Sequence, residues 1–429
     1  MNLFLLNFCI YLLLWIYFYQ KLKRFNFFMV VWTGYTVSAL MSYIALEGDF
    51  YYYKEETVLR TVTWEPLLFV LIFYLIVSIP IWKVDERNID FSKINFNNSL
   101  FKSFVQFNLI FFVVVSALKI YELTVISSMS SFGELYEFYH DDSIQNRNLV
   151  AIIYQNRLLQ MISGVGGYYC PTMSPLLVVY YISRIARTHK LDSETILGII
   201  IALIPVLISG VIGASRGSIF FSMFLLLFYY MIIRHYINKS TKRIIVGVAV
   251  LVVALFVSIS YAITDSRVEE RGSSYTAGTD IMMYFGQPMI NAGFYYDKIY
   301  YHPKGLRWLD RLYGIRSDNP VISYQDYWNN KTGSEVQLFK TLFGDLYLEF
   351  GLIGAFVVVM LTTLMWKKIV IQNYRKPIYM PFLWFYFNIL IFGIFNYKID
   401  TFKGLWFPVF VIFCIMLSSK LKKNKSYNL

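Results

Sequence analysis

Charge is scarce in this chain. Only 15% of its 429 residues are Asp, Glu, Lys or Arg, against about 25% in soluble globular proteins. That deficit excludes a soluble multidomain protein, although the length would suit one. Cysteine is scarcer still. Cys9, Cys170 and Cys414 all lie in apolar runs, and their spacing gives neither a disulfide framework nor a metal site. They read as packing residues. The four histidines share no ligand spacing with cysteine. No glycine-rich nucleotide loop opens a helix after a strand, and there is no nucleophile elbow. No internal repeat or low-complexity linker divides the chain. Neither a metal nor another cofactor is expected.

What is abundant is apolar sequence. Hydrophobic residues make up 57% of the chain and fall in runs of about 20, the length that crosses a bilayer. Eleven candidate spans follow one another, at about residues 3–19, 27–46, 66–82, 104–123, 158–182, 195–211, 219–233, 244–263, 346–366, 381–395 and 406–417. The fold class expected is an all-α polytopic membrane protein forming one integral membrane domain over residues 1–429. Gly164–Pro171, with three glycines and a proline, predicts a bend or an unwound turn in the fifth span. Such a break survives in a membrane where protein or a wet cavity satisfies the freed backbone.

The loops carry the charge, and they alternate in sign. Lys21–Arg24, Lys83–Lys102, Arg184–Lys190, Arg234–Arg243, Lys367–Lys376 and the C-terminal tail are basic. The loops between them hold Glu47, Asp49, Glu55 and Glu56, or Glu134, Glu137, Asp141 and Asp142. Basic loops stay in the cytoplasm, so the N-terminus is expected outside and the C-terminus inside. The first run has no basic residue ahead of it and reads as a permanent span, not a cleaved signal. The net charge of +12 is then an orientation signal, and no nucleic acid is expected as partner. Glu47 and Asp49 could hold a divalent cation, but a solvated acidic loop is the better explanation.

The longest polar excursion runs from 264 to 340. It interleaves Arg267, Arg271, Lys298, His302, Lys304, Arg307, Arg311 and Arg316 with Asp280, Asp297, Asp310 and many aromatics. A loop of this size is functional or disordered, and its aromatic and aliphatic content argues against disorder. It reads as a folded external cap over a site at the membrane surface. Its Tyr and Trp residues suit either a sugar platform or an interfacial belt.

Cations on the outer face run against the orientation rule, so each carries information. Arg216 sits in the tight turn Gly213-Ala-Ser-Arg-Gly217, where glycines let a ligand approach the backbone. A guanidinium there can hold a phosphate through two parallel hydrogen bonds. One charge pair at about 4 Å and an effective dielectric of about 20 is worth roughly 4 kcal/mol before desolvation. Arg157, beside the glycine-rich fifth span, and Arg267 and Arg271, just past the eighth, are the companion candidates. Snorkelling to ordinary phospholipid, or local pairing with Asp265, Glu269 and Glu270, is the alternative for each. His302 is a candidate general base, though it could as easily stack on its neighbours, and Glu270, Asp280 and Asp310 are rivals of similar weight. His140 is the other external histidine.

Two local stretches resemble a known family. Ser209-Gly-Val-Ile-Gly-Ala-Ser-Arg-Gly217 is similar to the Ser/Gly-rich turn with an Arg-Gly pair of the O-antigen polymerases and related O-antigen ligases. Thr341-Leu-Phe-Gly-Asp-Leu-Tyr-Leu-Glu-Phe-Gly-Leu-Ile-Gly354 resembles the acidic-Phe-Gly stretch that follows the long periplasmic loop in the polymerases, where Asp often stands in place of Glu349. The resemblance also covers the whole topology. It implies a GT-C-like glycosyltransferase of the bacterial inner membrane that joins oligosaccharide repeat units carried on undecaprenyl diphosphate. It further implies a chain-length regulator protein as partner, beside membrane lipid. Arg157, Arg216, Arg267 and Arg271 would hold the diphosphate, and His302, Glu270 or Asp280 would take the proton of the attacking hydroxyl. An O-antigen ligase and a flippase of the same lipid-linked sugar are the rivals. The spans read as nearly free of charge, which weighs against the flippase.

Overall fold

The computed structural model describes residues 2–48, 63–91, 99–129, 153–188, 191–212, 216–270, 276–296, 299–313, 324–333, 340–376 and 379–395. Among them all regular secondary structure is helical. The helices are α1 (Leu3–Leu22), α2 (Phe27–Glu47), α3 (Trp64–Trp82), α4 (Ser99–Met129), α5 (Arg157–Thr188), α6 (Ser193–Ile212) and α7 (Arg216–Ile233). They continue as α8 (Lys239–Glu270), α9 (Ala277–Tyr296), α10 (Leu306–Tyr313), α11 (Tyr324–Thr332), α12 (Thr341–Trp366) and α13 (Met380–Phe392). Six segments of these are long and apolar enough to cross a membrane: Leu3–Leu22, Phe27–Glu47, Trp64–Asn88, Lys102–Ile126, Ser193–Gly210 and Thr341–Ile371. Phe220–Ile233 and Met380–Phe392 are shorter apolar helices. This is the architecture of a helical multi-pass membrane protein. The eleventh candidate span lies outside the described residues.

The chain forms two compact units. The first draws on Met1–Asp85, Gly278–Tyr374 and Phe385–Leu405. Here α1 packs on α2, and α3 on α12. Tyrosines knit the centre. The rings of Tyr35 and Tyr74 stack with centroids 3.7 Å apart. Tyr35 donates to the Leu390 carbonyl at 3.0 Å, and Tyr74 to the Gly393 carbonyl at 3.1 Å. The reason is local: the last carbonyls of a helix have no partner within it, and a bilayer offers no water to replace one. The start of α12 helps in the same way. The N–H groups of Lys340 and Thr341 both donate to the Phe395 carbonyl, at 2.9 and 3.0 Å. That arrangement holds Thr341, a β-branched residue, at φ 69°.

The described residues of the polar excursion are largely helical, and part of them lies along a spanning helix. α8 continues to Glu270, past the end of the eighth apolar run. α9 packs against α2: Ser38 donates to the Phe285 carbonyl at 2.8 Å. At Gly286 a Cβ would stand 2.6 Å from the Met41 carbonyl oxygen, so only glycine permits this backbone contact. Phe4, Ala45, Leu67, Met283, Ile290, Trp328 and Leu348 close a shared apolar cluster.

The second unit draws on Glu86–Ala277, Arg375–Trp384 and Trp406–Leu429. Within it α6 packs on α4, α5 and α7. The unwinding expected at Gly164–Pro171 does not occur. α5 runs as one helix from 157 to 188 with Pro171 and Pro175 inside it. Gly166 serves packing instead: a Cβ there would lie 2.5 Å from the Val115 side chain of α4, whereas Gly164 and Gly167 face open space. The backbone break is in α12, at Gly351.

Candidate functional site

At Gly351 the backbone of α12 turns to φ 67°, ψ −178°, a region open essentially to glycine alone. Such a break interrupts the ladder of backbone bonds and frees carbonyls in the turn before it. The segment 302–307 supplies their partners. His302 Nδ1 lies 3.1 Å from the Leu348 carbonyl oxygen. The Lys304 N–H donates to the Glu349 carbonyl at 2.6 Å. Gly305 N–H donates to Glu349 Oε2 at 3.1 Å, and Arg307 Nε donates to Glu349 Oε1.

These bonds bring a charged cluster into the interior. Arg307 reaches the Asp345 carboxylate at 3.5 Å as well as Glu349. The three side chains are 3%, 5% and 0% exposed for Arg307, Asp345 and Glu349. Breaking a buried pair by removing one partner costs about 3–5 kcal/mol, so the cluster fixes segment 302–307 against the break. Left-handed backbone concentrates here too, at Lys304 (φ 56°), Gly305 (φ 89°) and Gly351. Non-glycine residues in that region are held by their surroundings and gather at functional sites.

The geometry assigns the tautomer of His302. A carbonyl oxygen only accepts, so Nδ1 carries the hydrogen and neutral imidazole presents Nε2 as a bare acceptor. The ring is half-buried, with the Tyr347 ring edge-on at 5.2 Å. Cδ2 and Nε2 both lie 3.3 Å from where a Cβ on Gly351 would be. The missing side chain at 351 is what leaves space beside Nε2. A ring held by one nitrogen and offering the other can take a proton from a hydroxyl.

The other candidates are divided between the two units. Asp280 is buried on α9, in the same unit as His302. Arg157, exposed at the first position of α5, belongs to the second unit, as do Arg216 at the first position of α7 and Arg267 and Glu270 in the last turns of α8. The side chains of Arg216, Arg267 and Glu270, the whole of Arg271, and His140 lie outside the described residues. Asp310 is tied down: it is 5% exposed and accepts the Trp328 indole N–H at 2.8 Å. Among the aromatics of the excursion, Tyr301, Tyr327 and Trp328 surround the Lys331 ammonium at 5.2–5.5 Å.

Sequence reasoning missed two groups. Arg307 reads as one more surface cation, and only folding buries it against Glu349. The sequence signal for that was a Glu-Phe-Gly triplet inside an apolar run. The second group corrects the picture of charge-free spans. Lys119 and Glu122 lie inside the segment Lys102–Ile126 and are 8% and 2% exposed. Lys119 Nζ donates to Glu122 Oε2 at 2.7 Å and to Ser163 Oγ of α5 at 2.8 Å, while Ser163 donates to Glu122 Oε1. Opposite charges three residues apart in a membrane helix were visible in the sequence. Compared with protein-family models, curated proteins and solved structures, the chain shows no match.

Proposed function

We propose that this protein is an O-antigen polymerase, a GT-C-like glycosyltransferase that joins undecaprenyl-diphosphate-linked oligosaccharide repeat units at the periplasmic face of a bacterial inner membrane. The observation that carries the reading is the hydrogen bond from His302 Nδ1 to the Leu348 carbonyl. It leaves Nε2 as a positioned base on a ring bonded to the stretch 341–354, where the sequence resembles the polymerases. The reading includes eleven spans, the N-terminus outside, the C-terminus inside, and the excursion 264–340 as a periplasmic cap.

In the reaction, a hydroxyl of the incoming unit attacks the anomeric carbon of the growing chain. The new C–O bond forms as the bond from that carbon to the diphosphate oxygen breaks. The hydroxyl proton passes to His302 Nε2, and undecaprenyl diphosphate leaves as the anion. Developing charge on a leaving group is best stabilised by fixed cations. Arg157, Arg216, Arg267 and Arg271 have that role here, supported by their sequence positions. Glu270 and Asp280 stand behind His302 as bases. A chain-length regulator acts with the polymerase.

The test is a lipopolysaccharide gel from the native host after deletion of the gene, with wild-type, Arg216→Ala or His302→Ala complementation. Collapse of the ladder to core plus one repeat, restored by wild type alone, is the expected result. An unchanged ladder after deletion would sink the reading. A second reading is favoured by the buried Lys119–Glu122 pair, since transporters place ionisable pairs within their spans. Loss of every band above the core would support that flippase, or a ligase.

A further inference from the structure

A second candidate site lies far from this chemistry along the chain, where α1, α2 and α3 meet beside the basic turn Lys21–Arg24. Here the first unit forms a half-open cavity of 390 Å³, within the range of about 300–1,000 Å³ of small-molecule sites. Phe18 of α1, Phe28 and Trp32 of α2, and Ile79 and Trp82 of α3 line it, with Lys83 at its edge. The walls are braced by aromatic contacts. Trp82 meets Phe28 edge-on with centroids 4.6 Å apart, and Phe18 at 4.9 Å. Phe18, Phe28 and Trp32 are buried, whereas Ile79 is 48% exposed. The cavity is therefore preformed and opens past Ile79 on the flank of a membrane-spanning helix.

Its chemistry is divided. Apart from the Lys83 ammonium, the only hydrogen-bonding side chains in the lining are the indoles of Trp32, which is fully buried, and Trp82. An alkyl chain fits such a lining. The rim is cationic. Lys83 ends α3 and is exposed. Lys21 in the last turn of α1 is exposed and holds its Nζ 5.2 Å from the Trp82 ring centroid. The neighbouring Arg24 is already paired with Asp85 at 2.5 Å, so among the described residues the cations left at the rim are Lys21 and Lys83, with Lys23 also exposed in the same turn. Tryptophan and lysine at the end of a span are the residues that meet lipid headgroups.

We propose that this cavity is a binding site for one anionic phospholipid, its acyl chain laid against the wall formed by Phe28, Trp82 and Ile79 and its phosphate at Lys21 and Lys83. The site differs from the ordinary lipid shell in selecting a headgroup. It is independent of the glycosyltransferase reading.

The experiment is native mass spectrometry of the delipidated full-length protein titrated with phosphatidylglycerol or phosphatidylethanolamine of identical chains. One phosphatidylglycerol is expected to be retained per chain with a preference of about tenfold or more, since each basic residue near an anionic headgroup adds about 1 kcal/mol. Lys21→Gln with Lys83→Gln removes the preference, and Leu75→Trp or Ile79→Trp, which fill the cavity, removes the retained lipid. Either cavity variant suffices if the other fails to fold. Glycerol phosphate, the headgroup without chains, does not bind. Equal retention of both lipids, or full retention by the correctly folded cavity variant, would overturn the proposal. So would binding of glycerol phosphate at the same concentration.

Discussion

The Nδ1 atom of His302 lies 3.1 Å from the carbonyl oxygen of Leu348, a carbonyl in the turn before the helix break at Gly351. The bond fixes which ring nitrogen bears the hydrogen, and so which one is left to act as a base. His302→Asn keeps a donor close to the Nδ1 position but has no group to accept the proton. The variant is expected to reach wild-type levels in the membrane with polymer formation reduced by about 10²–10⁴-fold. A full ladder from His302→Asn would remove the base from this residue.

Gly351 is the residue on which the break depends. Any side chain there meets both an unfavourable φ of 67° and the His302 ring at 3.3 Å. Gly351→Ala should lower stability by about 1–3 kcal/mol, read as an earlier thermal midpoint of the detergent-solubilised protein. Gly305→Ala, also at positive φ but with only ordinary contacts to Phe350 at 3.8 Å, should be the milder of the two. The reverse order would contradict the geometry.

The Arg307–Glu349 pair should behave as a unit. Arg307→Met leaves two buried carboxylates without their guanidinium and is expected to cost about 3–5 kcal/mol. Adding Glu349→Leu removes one of those charges. A double-mutant cycle on thermal stability should therefore show the double variant less damaged than the sum of the singles, by about 0.5–3 kcal/mol. Strict additivity would mean that the two side chains do not interact.

A pH-dependent element lies between α5 and α6. Thr195, through its side chain and its N–H at 2.9 Å, and then Arg184 hold the Asp192 carboxyl below the usual carboxylate range. A depressed folded value stabilises above the unfolded value of about 3.9 and is lost as pH falls through the lower one. Hydrogen exchange at the start of α6, corrected for intrinsic rates, should therefore accelerate on acidification below about pH 4. Asp192→Asn should abolish that dependence. Unchanged protection in acid would show that Asp192 does not cap the helix.

Much of the scaffold was legible in the sequence, because a bilayer imposes long apolar runs that composition alone displays. The helices α1, α2, α3, α6 and α12 stand close to where those runs place them. The interior of the site was not legible in the same way. Arg307 and Glu349 are 42 residues apart, and nothing local tells a surface arginine from one that folding buries. Gly164–Pro171 drew attention as a break because it concentrates helix-weakening residues, yet close packing on Val115 explains its Gly166. The decisive glycine, Gly351, is the last residue of the Glu-Phe-Gly triplet that marks the resemblance, yet nothing local shows that the helix breaks there. Lys119 and Glu122 were in plain view and were absorbed into a hydropathic average.

The most direct measurement is made on the purified protein in proteoliposomes, supplied with lipid-linked repeat units isolated from the deletion host. Wild type is expected to convert them into undecaprenyl-diphosphate-linked polymers of two or more repeats, with one undecaprenyl diphosphate released per bond formed, and His302→Asn is expected not to. No polymer from wild-type protein shown to be folded, or transfer of the sugar only to an added lipid core, would contradict the assignment.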